Sequence, residues 1–123
     1  MTTKNIFRWL FAPCFSVLVF CETAHAEFTE KNVAVVQILN KAAGKTQNID
    51  IPVGQTVSFE KLNITVRSCK QTAPFEAENF YAFIEISKTT DSTKIFSNWM
   101  DRNNPGRQPV QNPDYDIWLA RCE

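Results

Sequence analysis

The stretch "LNITVR" sets Leu62, Ile64 and Val66 on one side of an extended backbone and Asn63, Thr65 and Arg67 on the other. Successive side chains of a strand point to opposite faces, so this period-two alternation fits a half-buried strand and no helix. "NFYAFIEISK" repeats the pattern, with Phe80, Ala82, Ile84 and Ile86 against Tyr81, Phe83, Glu85 and Ser87. Both of its faces begin apolar, which marks a central strand that meets solvent on one side near Glu85. "TKIFSNWM" and "YDIWLARC" share the aromatic and β-branched character of strands, and "QNIDIP" and "QTVSF" are shorter versions. Between the last two, Pro52 to Gly54 is turn chemistry. "NVAVVQILNKAAGK" has two readings. Ala42, Ala43 and Gly44 could end a helix begun near Thr29, but Val33, Val35, Val36 and Ile38 are crowded in helices and favour a strand. The expectation is an all-β fold, a small antiparallel β-sandwich or barrel of about six or seven strands.

The beginning of the chain has a different character. "MTTKNIFR" is a short basic start, and "WLFAPCFSVLVF" is an apolar run of signal-peptide length, too short to cross a bilayer as a helix. Ala24 and Ala26 then occupy the small-residue positions of an A-x-A cleavage site. Pro13 and the shortness of the run argue against a retained anchor. Lipid attachment at Cys21 needs a small residue before it, where Phe20 is bulky. Residues 1–26 are expected to be a signal peptide cleaved after Ala26, with residues 27–123 forming a single β domain and no transmembrane segment left after cleavage.

Removing residues 1–26 from the 123 leaves 97, enough for one core. The 13 basic and 13 acidic residues lose Lys4, Arg8 and Glu22, leaving 11 and 12. A net charge near −1 without a basic run gives no electrostatic reason to hold a phosphate backbone, so nucleic acid is not an expected partner. The one histidine, His25, leaves with the signal peptide, and with it the Ser-His and Cys-His nucleophile pairs and any His-ligated metal. No metal and no cofactor are expected. Cys14 and Cys21 leave too. Cys69 and Cys122 remain, and two thiols in an exported chain without C-x-x-C spacing point to one structural disulfide. Parity complicates that pairing. Unless a bulge intervenes, Cys69 continues the outward set Asn63, Thr65, Arg67, and Cys122 shares a side with Trp118 and Ala120.

The C-terminal half carries the candidate site. Trp99 and Trp118 flank the polar "DRNNPGRQPVQNP", which is either a ligand-binding loop between two aromatic posts or a surface connection tied down by Cys122. The candidate interaction surface is Trp99, Arg102, Arg107, Tyr115 and Trp118, with Tyr81 nearby. The plainer expectation is that both tryptophans are core and anchor the loop from beneath, as an ordered connection between two neighbouring strands. An alternative class is a histidine-free hydrolase built on a carboxylate pair, drawn from Glu85, Asp101, Asp114 and Asp116. Asp114 and Asp116 would point the same way from one strand.

The turn P-V-G-Q (Pro52 to Gln55), V-R-x-C (Val66 to Cys69), F-S-x-W-M (Phe96 to Met100) and Y-D-x-W-L (Tyr115 to Leu119) together resemble a family of exported alphaproteobacterial proteins, the domain-of-unknown-function family twenty-one fifty-five. The resemblance runs from about Val33 to Cys122. It implies a small envelope protein with a disulfide and carries over no catalytic residues. The expected function is that of a periplasmic or envelope-associated, non-catalytic binding module whose partner is an envelope protein or a glycan.

Overall fold

Every segment with strand patterning forms a strand in the computed structural model, which describes residues 27–123. The expected signal peptide, its cleavage site, Cys14, Cys21 and His25 lie outside the described residues. In chain order the strands are β1 (Thr29–Glu30), β2 (Val33–Asn40), β3 (Lys45–Pro52), β4 (Thr56–Phe59), β5 (Leu62–Gln71), β6 (Phe80–Lys88), β7 (Lys94–Asp101) and β8 (Tyr115–Cys122). The strand beyond the seven expected segments is β1, whose two residues are too few to carry a pattern.

All pairings are antiparallel. One sheet runs β1-β5-β6-β7, with β4 also on β5, and the other runs β3-β2-β8. Their inner faces make a single core, to which Val36 and Ile38 of β2, Ile64 and Val66 of β5, Ile84 and Ile86 of β6, and Leu119 of β8 all contribute. Each such aliphatic side chain, fully buried, contributes about 1.5–3 kcal/mol through apolar area removed from water. The segment with two readings is a strand. Its Ala-Ala-Gly end is not a helix terminus but the hairpin turn to β3, closed by Gly44 N–H to the Asn40 carbonyl at 2.8 Å. Gly44 there has φ +67°, a conformation that costs a residue with a Cβ. Gly54, at φ +89°, is third in the Pro52–Gln55 turn that carries the chain from one sheet to the other. A type II turn requires positive φ at that position.

Two bulges settle the parity of the cysteines. The β5–β6 register shifts between Val66 and Ser68, leaving Arg67 as the extra residue. The β2–β8 register skips Ala120, since Val36 faces Leu119 and Val35 faces Arg121. One added residue moves everything after it to the other face. Cys69 and Cys122 therefore both turn inward, buried, and join as a disulfide between β5 and β8. The expected sharing of a side by Cys122 and Trp118 is corrected accordingly: Cys122 lies with Ile117 and Leu119, and Trp118 faces the opposite way.

β7 and β8 are not neighbours. They belong to different sheets and are the edge strand of each. The connection between them, expected to join neighbouring strands, instead crosses the open side of the sandwich, with a single 3-10 turn at Pro105–Arg107.

Candidate functional site

The outer face of the larger sheet is where the aromatic residues meet. Register places Lys70, Tyr81 and Asp101 in one row and Ser68, Phe83 and Trp99 in the next. Side chains on one face of paired strands are within reach of each other. Phe83 meets Trp99 edge to face, with centroids 5.5 Å apart, and Tyr81 meets Phe28 the same way at 5.5 Å. Lys70 Nζ lies between the two pairs, 4.6 Å from the Phe28 ring centre and 4.7 Å from that of Trp99. The negative ring faces favour a cation in that position. Trp99 remains 37% exposed and Phe28 42% exposed. Exposed large aromatics gathered on a sheet face are the kind of surface that recognition sites use.

Beside Trp99 the connection from β7 folds back to form a groove. Asp101 Oδ1 accepts hydrogen bonds from Asn79 Nδ2 at 2.8 Å and Asn103 N–H at 3.0 Å, which fixes the exit from β7. Asn98 Nδ2 donates to Gln108 Oε1 at 3.1 Å, tying the far end of the 3-10 turn to the strand. The groove, about 210 Å³, is lined by Tyr81, Asn98, Trp99, Asp101, Arg107 and Gln108, with Asn104 and Pro105. Among the described residues Arg107 forms no ion pair. An indole and an unpaired guanidinium thus share one small concavity with several amides.

The five candidate residues fall in different places. Trp99 and Arg107 line the same groove. Arg102 is engaged elsewhere: it pairs with Glu78 at 3.4 Å, and its guanidinium lies over the Phe80 ring at 4.9 Å. Tyr115 is 5% exposed and donates its hydroxyl to Glu60 Oε1 at 2.7 Å, so it is a structural residue at the far end of the sandwich. Trp118, half-buried on the outer side of β8, lines a second groove of about 220 Å³ with Pro105, Pro109 and Asp116. The loop therefore does run between two tryptophans, but neither is the core residue expected, since Trp99 is exposed and Trp118 is half-buried outside the core cluster. Its buried anchor is Val110, which joins the core. Sequence reasoning misses Phe28, Lys70, Asn98 and Gln108, because nothing local marks residues that become neighbours only through sheet register and the folding back of the loop.

The family described as an uncharacterized protein conserved in bacteria, DUF2155, matches residues 34–122. The chain belongs to this family. The matched region contains both disulfide cysteines and all the described strands but β1 and the first residue of β2. The four motifs that carry the resemblance have physical roles in the fold. P-V-G-Q is the sheet-crossing turn, V-R-x-C is the bulge that turns Cys69 inward, and F-S-x-W-M puts Phe96 and Met100 in the core with Trp99 outside. Y-D-x-W-L buries Tyr115, Ile117 and Leu119 and turns Trp118 outward. No curated protein and no solved structure matches the chain.

The carboxylates are dispersed. Asp114 and Asp116, which the hydrolase alternative would aim the same way from one strand, do not share a strand, because β8 starts only at Tyr115. Asn112 Oδ1 accepts from the backbone N–H of Asp114 at 2.8 Å and of Tyr115 at 3.1 Å, bending the chain just before the strand. Asp114 consequently borders a groove with Lys61 and Lys88, whereas Asp116 borders the Trp118 groove and pairs with Lys41 at 3.3 Å. Glu85 is paired with Arg67 at 2.9 Å, and that hydrogen-bonded guanidinium holds its carboxyl below the ordinary value. Among the described residues no three His, Cys, Asp or Glu side chains gather to hold a metal, and no helix is long and apolar enough to cross a membrane.

Proposed function

We propose that the protein is exported to the periplasm, with cleavage after Ala26, and acts there as a non-catalytic module that binds an envelope component through the Trp99 face. The observation that carries this reading is the exposed indole of Trp99 in one groove with Arg107, which has no ion pair among the described residues. Tryptophan and arginine are the residue types that most often dominate binding energy at recognition surfaces. Export is supported by the basic start, the apolar run and the Ala24-His25-Ala26 site. The carboxylate-hydrolase reading has no comparable support, since Asp114 and Asp116 line different grooves.

The test is fractionation followed by sedimentation. The protein recovered from the periplasm should begin "EFTEK", and it should sediment with purified envelope. Trp99→Ala should remain folded and stay in the supernatant. Recovery from the cytoplasm with residues 1–26 intact, or equal sedimentation of the variant, would overturn the proposal.

A further inference from the structure

Resting on that reading, the groove's chemistry narrows the ligand. Three properties decide it. The first is the flat ring. Lys70 reaches Trp99 from β5, across the intervening β6, while the 3-10 turn lies beyond the free edge of β7. Trp99, 37% exposed, also lines the groove, so part of its apolar, electron-rich indole is open there. The C–H face of a pyranose ring, weakly positive and apolar, is the natural complement of such a surface.

The second property is the set of polar atoms without protein partners. Asn98 is engaged within the protein, its Nδ2 donating to Gln108 and its Oδ1 accepting from Trp99 N–H at 2.7 Å. Asp101 has Oδ1 committed twice, and among the described residues its Oδ2, Gln108 Nε2, the Asn104 amide and the Arg107 guanidinium have no side-chain partner. These atoms offer both donors and acceptors, the mixture that sugar hydroxyl groups pair with. Arg107 adds a fork suited to a carboxylate, and Lys70 nearby makes the local charge positive on balance against Asp101.

The third property is shape. At about 210 Å³ the groove is smaller than the roughly 300–1,000 Å³ of pockets that engulf a whole small molecule. It suits one part of a chain that continues into solvent. A peptide strand added to β7 would be another such chain, but the 3-10 turn, pinned by Gln108 to Asn98, crosses that edge.

We propose that the Trp99 groove binds an acidic saccharide chain, one pyranose lying on the Trp99 indole and its carboxylate held by Arg107. Calorimetric titration of the purified protein tests this. The probe is the glycan strand of bacterial cell wall freed of its peptides, whose alternate sugars carry a carboxylate, and its control is the same strand after carboxyl reduction. Wild type should bind the acidic strand saturably and the reduced strand about tenfold more weakly, a difference of about 1.4 kcal/mol. Arg107→Gln, an exposed change that breaks no side-chain bond among the described residues, should bind both strands alike at the weaker level. Trp99→Ala should lose both by more than about tenfold. No saturable binding by wild type, or an acidic preference that survives Arg107→Gln, would overturn the proposal. If wild type ignores the strands yet still sediments with envelope in a Trp99-dependent way, the ligand class is wrong and the interaction reading stands. If Trp99→Ala sediments with envelope like wild type, the interaction reading itself falls.

Discussion

The Cα atoms of Cys69 and Cys122 lie 5.7 Å apart although one belongs to each sheet. Packed sheets are ordinarily about 10 Å apart, so the sandwich is pinched closed at this corner. Only the two bulges, at Arg67 and at Ala120, allow both side chains to face inward there. The aromatic clamp of Phe28, Lys70 and Trp99 sits directly outside this pinch, because Lys70 is next in the chain after Cys69 and faces the other way.

Reducing or deleting that crosslink should therefore be costly. It spans 53 residues, for which chain-entropy arguments give about 4 kcal/mol. Cys122→Ser should lower the stability measured by denaturant melting by about that amount, as should the double variant with Cys69→Ser. Free alkylation of both thiols in native, unreduced protein would contradict the pairing.

At the opposite end, Tyr115 and Asn40 both donate to Glu60 Oε1, at 2.7 and 3.1 Å, joining the β4–β5 turn to the smaller sheet. The hydrogen bond to Glu60, with burial, raises the Tyr115 phenol above its ordinary value of 10.0. Because the folded pKa is raised, the contribution is fully present below pH 10.0 and is lost as pH rises through the folded value. Tyr115→Phe should cost about 2 kcal/mol at neutral pH, the scale of a hydrogen bond to a charged group. It should also flatten the alkaline fall in stability, and an unchanged alkaline limb would refute the assignment.

Glu85 works with the opposite sign. Arg67 Nε donates to it at 3.0 Å and Ser97 Oγ at 3.3 Å, and its pKa is lowered chiefly by the Arg67 hydrogen bond. A lowered folded pKa gives stability that is present above the ordinary value of 4.5 and lost as pH falls through the folded one. Arg67→Ala should remove part of the acid-side fall in melting temperature, and added salt should blunt the difference between the two proteins. Parallel acid limbs at low salt would count against this role.

The strands were legible because a half-buried strand writes its two faces into alternate positions, as in Leu62 to Arg67 and Phe80 to Ser87. Bulges were not, since one extra residue such as Arg67 or Ala120 leaves the local pattern intact while reversing the facing of every later position in the strand. The separation of β7 from β8 was equally hidden. It depends on pairing β8 with β2, some eighty positions away, which no local pattern encodes. The candidate site was half legible for the same reason: Trp99 and Arg107 are close in sequence, whereas Phe28 and Lys70 arrive through register.

The loop offers the sharpest test of what is core and what is surface. Val110 is 8% exposed and belongs to the core, whereas Trp99 lies on the outer face against Phe83 and Lys70. Val110→Ala removes two buried methyl groups and should cost about 2 kcal/mol. Trp99→Ala removes an indole that is 37% exposed, with an edge-to-face and a cation–π contact, and should cost about 2 kcal/mol, less than a fully buried tryptophan. Denaturant melts should therefore show two deletions of very different size costing about the same. A Trp99→Ala loss of the roughly 3–5 kcal/mol of a buried tryptophan would make the ring a core anchor and remove the basis for a binding face.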